Sequence, residues 1–195
     1  GSLVNPALLD YKKDVCEVYN SAKMTLEEVI AVMAPAAKAG KTVVRLHTGD
    51  PCVYGAHREQ MDELDRLGLA YEVCPGVSSF CGAAAALKAE YTLPNVSQSV
   101  ILTRMEGRTP VPEKEQIESF AAHGATMVIF LSAGQLPRLS ERLIAGGYAP
   151  DTPAAIVYKA TWPDEKVVRT TVGELAAAGA REGITKTALI TVGGF

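Results

Sequence analysis

Long hydrophobic runs are missing from this 195-residue chain: the longest, residues 80–87 and 127–131, are too short to cross a bilayer. Nothing near the N-terminus has the pattern of a signal peptide, so no membrane partner and a cytoplasmic location are expected. An excess of positive charge is missing as well. The chain holds 19 Lys plus Arg against 22 Asp plus Glu, a formal net charge of −3. It therefore lacks the global basic field of nucleic-acid binders, and an anionic ligand must be held by local cations. Cysteine is sparse. Cys16, Cys52, Cys74 and Cys81 form no C-x-x-C pair and have no neighbouring His at zinc-ligand spacing. They read as reduced thiols used as small packing residues, and no metal site is expected. Also absent are G-x-G-x-x-G, G-x-x-x-x-G-K-[ST], H-E-x-x-H and G-x-S-x-G, which removes the main support for nucleotide-phosphate, zinc-protease and esterase readings. There is no internal repeat and no low-complexity segment.

What is present is an alternation of short apolar segments. Residues 48% hydrophobic and 21% charged suit a globular chain of one large or two small domains. Residues 5–13 read as a short helix with Pro6 in its first turn, and 15–19 as a strand. Thr25-Leu26-Glu27-Glu28 has the capping-box pattern, and Leu26, Val29, Ile30, Met33 and Ala37 continue it as an amphipathic helix in which Pro35 predicts a kink. A strand at 42–46, the loop Gly49-Asp50-Pro51, a helix at 56–67, a strand at 69–73, the loop Pro75-Gly76 and an Ala-rich helix at 77–88 follow. Twice, then, a strand ends in a Pro/Gly loop at a helix start, the place where open α/β sheets bind ligands. Residues 91–95 read as a linker that divides the chain near Pro94 into α/β halves 1–94 and 95–195. In the second half, strands at 97–103, 126–131, 154–158, 167–171 and 187–192 are expected, with helices at 113–122, 136–145 and 172–180. The strands on either side of Asp164 read as a hairpin.

These loops carry a resemblance. The ordered set His47-Thr48-Gly49-Asp50-Pro51, Tyr54-Gly55, Pro75-Gly76-Val77-Ser78-Ser79, Leu102-Thr103-Arg104-Met105-Glu106-Gly107-Arg108-Thr109-Pro110, Phe130-Leu131-Ser132 and Val157-Tyr158-Lys159-Ala160-Thr161-Trp162-Pro163 resembles the tetrapyrrole (corrin/porphyrin) methylase family. The likeness covers nearly the whole chain, including the opening Ser2-Leu3-Val4-Asn5-Pro6. Gly49-Asp50-Pro51 marks the family; Glu106 to Pro110 and Trp162-Pro163-Asp164 favour its branch acting on cobalamin precursors.

The resemblance implies an α/β protein of two α/β domains, S-adenosylmethionine held in the cleft between them, a precorrin (tetrapyrrole) substrate in an adjacent trough, and a homodimer. It implies donor contacts from Gly49, Asp50, Tyr54, Ser78, Ser79, Leu131, Ser132, Tyr158, Ala160, Thr187 and Ala188. The family's opening strand and G-x-G-P-G-D-P loop are not in this sequence. One strand-loop-helix unit, about 30 residues, is therefore expected to be lacking from the first domain. Two other outcomes stay open: a methylase with another acceptor, such as uroporphyrinogen III or a different precorrin carbon, and a non-catalytic domain that binds a tetrapyrrole or a partner.

The chemistry implied asks little of acid–base groups. A sulfonium methyl is already activated, and positioning alone can supply about 7–11 kcal/mol, so no obligatory general base is needed. Asp50 is the residue expected to serve catalysis, by holding the loop or the donor's ammonium group; its plainer reading is a turn-forming Asp before Pro. Gly49 permits close backbone approach. Arg45, His47, Arg104, Arg108 and Lys159 are candidates for the substrate's carboxylates, with Arg104 and Arg108 preferred, because guanidinium grips carboxylate through two hydrogen bonds. Each also reads as an ordinary solvated charge. Tyr54, Tyr158 and Trp162 suit stacking or core packing, and Cys52 suits packing.

Overall fold

A computed structural model describes residues 3–195; Ser2 of the opening motif lies outside them. The chain forms two compact units, the first running to Ser78 and the second being Ser79–Phe195. The division thus falls ahead of the linker expected at Pro94, and the Ala-rich helix belongs with the second unit.

In the first unit the local signals hold. Asn5 caps a 3-10 turn, Pro6–Tyr11, accepting from the N–H of Ala7 at 3.0 Å. The capping box is complete: Thr25 Oγ1 accepts from Glu28 N at 3.3 Å, and Glu28 Oε2 accepts from Thr25 N at 2.8 Å. It opens helix α1, Leu26–Lys38, which runs through Pro35. Helix α2, Arg58–Arg66, packs on α1, and Val29, Ile30, Ala34 and Leu64 are buried. The strands expected at 15–19, 42–46 and 69–73 do not form. These segments are irregular, with Val44 76% exposed. A strand exists only by pairing, and no described segment gives these residues a ladder; β-branched composition cannot replace one. The parallel sheet expected in this half is therefore absent among the described residues. The packing role expected for the cysteines is likewise corrected. All four thiols are free and exposed, because they sit in irregular backbone or, for Cys81, on the open side of a helix.

The second unit begins with that helix, α3 (Ser79–Leu87). Then come β1 (Val100–Arg104), α4 (Ile117–Ala121), β2 (Thr126–Phe130), α5 (Leu136–Ala145), β3 (Pro153–Tyr158), β4 (Lys166–Thr171), α6 (Leu175–Arg181) and β5 (Ala188–Val192). The strands make one mixed sheet in the order β1-β2-β5-β3-β4. Only β1 and β2 run parallel; β5 lies antiparallel to both β2 and β3, and β3–β4 is the hairpin around Asp164. Strand period explains the layers. Met127, Ile129, Ile156 and Ile190 point into a core with Leu139 and Leu143 of α5 and Leu175 of α6. The alternate face carries Ala155 and its cross-strand partner Arg169, whose guanidinium donates to the carbonyl of Leu87 at the end of α3. Helix α3 packs against β3 and β5 on that face, and all five residues of β2 are buried.

Leu143 is fully buried in this core. Leu143→Ala should lower unfolding free energy by about 2–5 kcal/mol, read by urea denaturation followed by circular dichroism.

Candidate functional site

Sheet topology gathers one set of predicted residues along a single sheet end. The registers Arg104↔Phe130, Tyr158↔Ala188 and Tyr158↔Lys166 place the carboxyl ends of β1, β2 and β3 beside the amino end of β5. Immediately beyond these strands the backbone turns left-handed at three non-glycine residues, Leu131 (φ 54°), Lys159 (φ 46°) and Thr187 (φ 56°). Each such residue costs about 1–2 kcal/mol, and strain of this kind collects at functional sites. Lys159 N donates to Thr187 O at 3.0 Å, tying two of the turns together. Leu131 is 60% exposed, an apolar side chain held at the edge by its own strained backbone. Tyr158, Ala160 and Ala188 are half-buried along the same edge. Ser132 is enclosed: its hydroxyl donates to Phe130 O at 2.7 Å and accepts from Met105 N at 2.9 Å. That hydroxyl fastens β1 to β2.

A second set sits in the first unit, on the loop at Gly49 and the loop at Gly76. Asp50 joins them. Its Oδ1 accepts from Cys52 N at 2.7 Å, closing a local turn, and its Oδ2 accepts from Gly76 N at 2.9 Å. The loops touch so closely that a Cβ on Gly76 would lie 2.2 Å from Gly49 O, and one on Gly55 would lie 1.9 Å from Pro51 O. Gly49 itself is left-handed at φ 61°. The two backbone hydrogen bonds, from Gly76 first and then Cys52, hold the Asp50 carboxyl below the usual aspartate range. Tyr54 is exposed on this loop at φ 55°. Ser78 is buried, and Ser79 is half-buried at the start of α3.

The candidate cations separate sharply. Arg45 Nε donates to Gln60 Oε1 at 2.9 Å. His47 lies edge-on to His57, ring centroids 5.6 Å apart, and its pKa is pushed down by burial, by Arg45 and by His57, which favours the neutral ring. The Lys159 ammonium donates to Asp164 at 2.6 Å and lies 5.1 and 4.8 Å from the ring centres of Tyr158 and Trp162, a cation sandwiched and neutralised. Arg104 turns inward, donating to Met105 O, Thr109 O, Thr109 Oγ1 and Pro110 O. Arg108 is exposed and has no partner among the described residues.

Residues 1–176 match the family Tetrapyrrole (Corrin/Porphyrin) Methylases. The chain belongs to this family. Among curated relatives, a cobalt-precorrin-4 C(11)-methyltransferase of Methanocaldococcus jannaschii is 56% identical over 193 residues, 99% of this chain and 74% of the relative. One of the same description from Priestia megaterium is 50% identical, over 98% of this chain and 74% of that protein. Among solved structures, the X-ray structure of the cobalamin biosynthetic enzyme cobalt precorrin-4 methyltransferase, CbiF, superposes with a TM-score of 0.95. It is 49% identical, with 98% of this chain and 80% of that one covered. A uroporphyrin-III C-methyltransferase from Thermus thermophilus complexed with S-adenosyl homocysteine is similar at a TM-score of 0.69 and 27% identity, over 86% and 72% of the two chains.

In this tetrapyrrole methylase, sequence reasoning missed the residues that fasten the 104–110 loop: Gln116 and Glu118 at α4, and Gln135, Arg138 and Arg142 at or in α5. Arg138 and Arg142 are spaced four apart on one face of a predicted helix, which is a legible signal. Their partner Glu106 is more than thirty residues away in sequence and is not legible. The strained turns at Leu131, Lys159 and Thr187 carried no glycine to announce them.

The Asp50–Gly76 link makes a pH prediction. A carboxylate whose folded pKa is depressed keeps its hydrogen bond through the usual aspartate range and loses it only as pH falls through the lower folded value. The Gly76 amide resonance should therefore titrate with a midpoint below that range and should stop titrating in Asp50→Asn; an ordinary aspartate midpoint would show that the bond is not made.

Proposed function

We propose that this protein transfers the methyl group of S-adenosylmethionine to ring carbon C-11 of cobalt-precorrin-4 or of metal-free precorrin-4. The observation that carries the reading is the 56% identity to a cobalt-precorrin-4 C(11)-methyltransferase over 99% of the chain. The site residues fit such a donor chemically. At the sheet end, Leu131 offers an exposed apolar side chain beside the left-handed turns at Lys159 and Thr187. On the first unit, Gly49 and Gly76 let the two loops meet backbone to backbone, with the Asp50 carboxylate closing the contact.

The donor, when bound, supplies an electrophilic methyl on a sulfonium; the protein's own residues orient and enclose. Gly49, Tyr54, Ser78, Ser79, Leu131, Ser132, Tyr158, Ala160, Thr187 and Ala188 are assigned to the donor, with Ser132 acting through its main chain since its hydroxyl is spent. Asp50 is assigned a positioning role. Both its oxygens already accept backbone N–H groups, so it shapes the donor loop instead of moving a proton. Rate then comes from alignment and exclusion of water. Arg108 is the cation assigned to substrate carboxylate, with Arg45 beside the buried Gln60 as a further candidate; His47 is held toward its neutral form, and Arg104 and Lys159 are already paired. The same reading takes the protein as a cytoplasmic homodimer. Among the described residues no helix is long and apolar enough to cross a membrane.

Incubation with S-adenosylmethionine and each candidate tetrapyrrole, with the new methyl located by NMR, should give C-11 methylation of cobalt-precorrin-4 or precorrin-4. Methylation of uroporphyrinogen III or of another precorrin carbon would replace the acceptor assignment. Calorimetry should show S-adenosylhomocysteine binding, and its absence would remove the methyltransferase reading. Gly76→Ala forces a Cβ against Gly49 O and should weaken that binding about tenfold or more, since misplacement of about 1 Å has effects of this order.

A further inference from the structure

The loop between β1 and α4 is fastened across its own ends and from behind. Arg104, the last residue of β1, folds back over the loop: Nη1 donates to Thr109 O at 3.2 Å, and Nη2 to Pro110 O at 2.9 Å and to Thr109 Oγ1 at 3.0 Å. Gly107 N donates to Thr109 O at 3.2 Å, closing the tip. Behind the loop, Gln135 Nε2 donates to Glu106 O at 3.1 Å. The Glu106 carboxylate is gripped by Arg142, whose Nη1 reaches both oxygens at 2.8 and 2.7 Å, and by Arg138. Arg142 in turn forks the Glu118 carboxylate at 2.6 Å through both Nε and Nη2, and bonds Gln116.

Arg142's side chain is only 13% exposed, yet it is shared between two carboxylates drawn from two different segments. Ion pairs this enclosed add little net stability over apolar packing, and their attested use is to specify one conformation. The conformation specified here has a definite charge pattern. Arg138 and Arg142 are spent on Glu106 and Glu118, Arg104 is spent on its own loop, and one cation of the loop is left over. Arg108, between the closed ends, is exposed and without a partner among the described residues.

We propose that the Glu106–Arg142–Glu118 knot is a positioning device for the substrate: it fixes the 104–110 loop so that the Arg108 guanidinium meets a carboxylate of a polycarboxylate tetrapyrrole. This rests on the methyltransferase reading above. Glu106 and Arg142 touch neither donor nor acceptor. They act by removing the conformational freedom that an exposed, glycine-containing loop would otherwise lose on binding. The device is specific to substrate capture, so its loss falls on KM and leaves the donor alone.

The test uses the full chain, with steady-state kinetics on the tetrapyrrole, calorimetry with S-adenosylhomocysteine and thermal melting. Glu106→Gln should raise KM for the tetrapyrrole about tenfold while kcat and S-adenosylhomocysteine affinity stay within about twofold. Arg108→Gln should raise KM to a similar degree. The double variant should be no worse than Arg108→Gln alone, because the knot acts through that residue. If Glu106→Gln does not fold, Glu106→Asp, which keeps the charge but cannot span both arginines, takes its place under the same criteria. An unchanged KM in a folded variant, additive losses in the double variant, or a parallel fall of kcat and S-adenosylhomocysteine affinity would each overturn the proposal. Failure of the unaltered protein to bind S-adenosylhomocysteine would overturn the methyltransferase reading and this proposal with it. Normal binding and turnover with a flat KM would sink the positioning role only.

Discussion

Everything assembled at the sheet end depends on the antiparallel insertion of β5 between β2 and β3. The β1-α4-β2 segment is a parallel unit, and β3–β4 is a hairpin; neither pairs with the other. Because β5 runs against both of its neighbours, its first residue lies beside the last residues of β2 and β3. Chain reversals that would otherwise be scattered over two sheet ends are thereby collected at one. The left-handed turns at Leu131, Lys159 and Thr187 and the loop after Arg104 are all neighbours for this reason.

Charge among the candidate residues is arranged by subtraction. Sequence alone offered five cations, with Arg104 and Arg108 preferred. Burial and the neighbouring Arg45 push His47 toward its neutral form; Asp164 and two rings lie against the Lys159 ammonium; Arg104 is consumed by the carbonyls of its own loop. A guanidinium has five donors in a fixed fork, and such a group serves equally well as a ligand for carboxylate or as an internal clamp. Only the coordinates separate Arg104 as clamp from Arg108 as free charge, since the two are four residues apart in one polar loop.

Legibility followed the range of the interactions. Helix α5 was read from the sequence at its observed limits, Leu136–Ala145, because an amphipathic stripe and a proline in its first turn are local signals. The capping box at Thr25 and the hairpin around Asp164 were legible on the same ground. The strands expected at 42–46 and 69–73 were not obtained, since a ladder needs a partner and a β-branched run does not supply one. Asp50 was legible as a loop residue of interest, but its second bond goes to Gly76, a partner that no local pattern identifies. The knot on Glu106 was illegible for the same reason.

The place of β5 also shapes how the second unit is reached from the unfolded chain. The β3–β4 hairpin and the β1-α4-β2 unit each close on contacts near in sequence, so each can form early. Until β5 arrives, β2 and β3 each keep one row of unpaired N–H and C=O groups, an open edge that templates pairing with other chains. The step that joins the halves spans the largest sequence separation in the sheet, from β2 to β5, and separations of that kind slow folding. The strand that builds the site is thus also the one whose docking ends the period in which this unit is prone to aggregate.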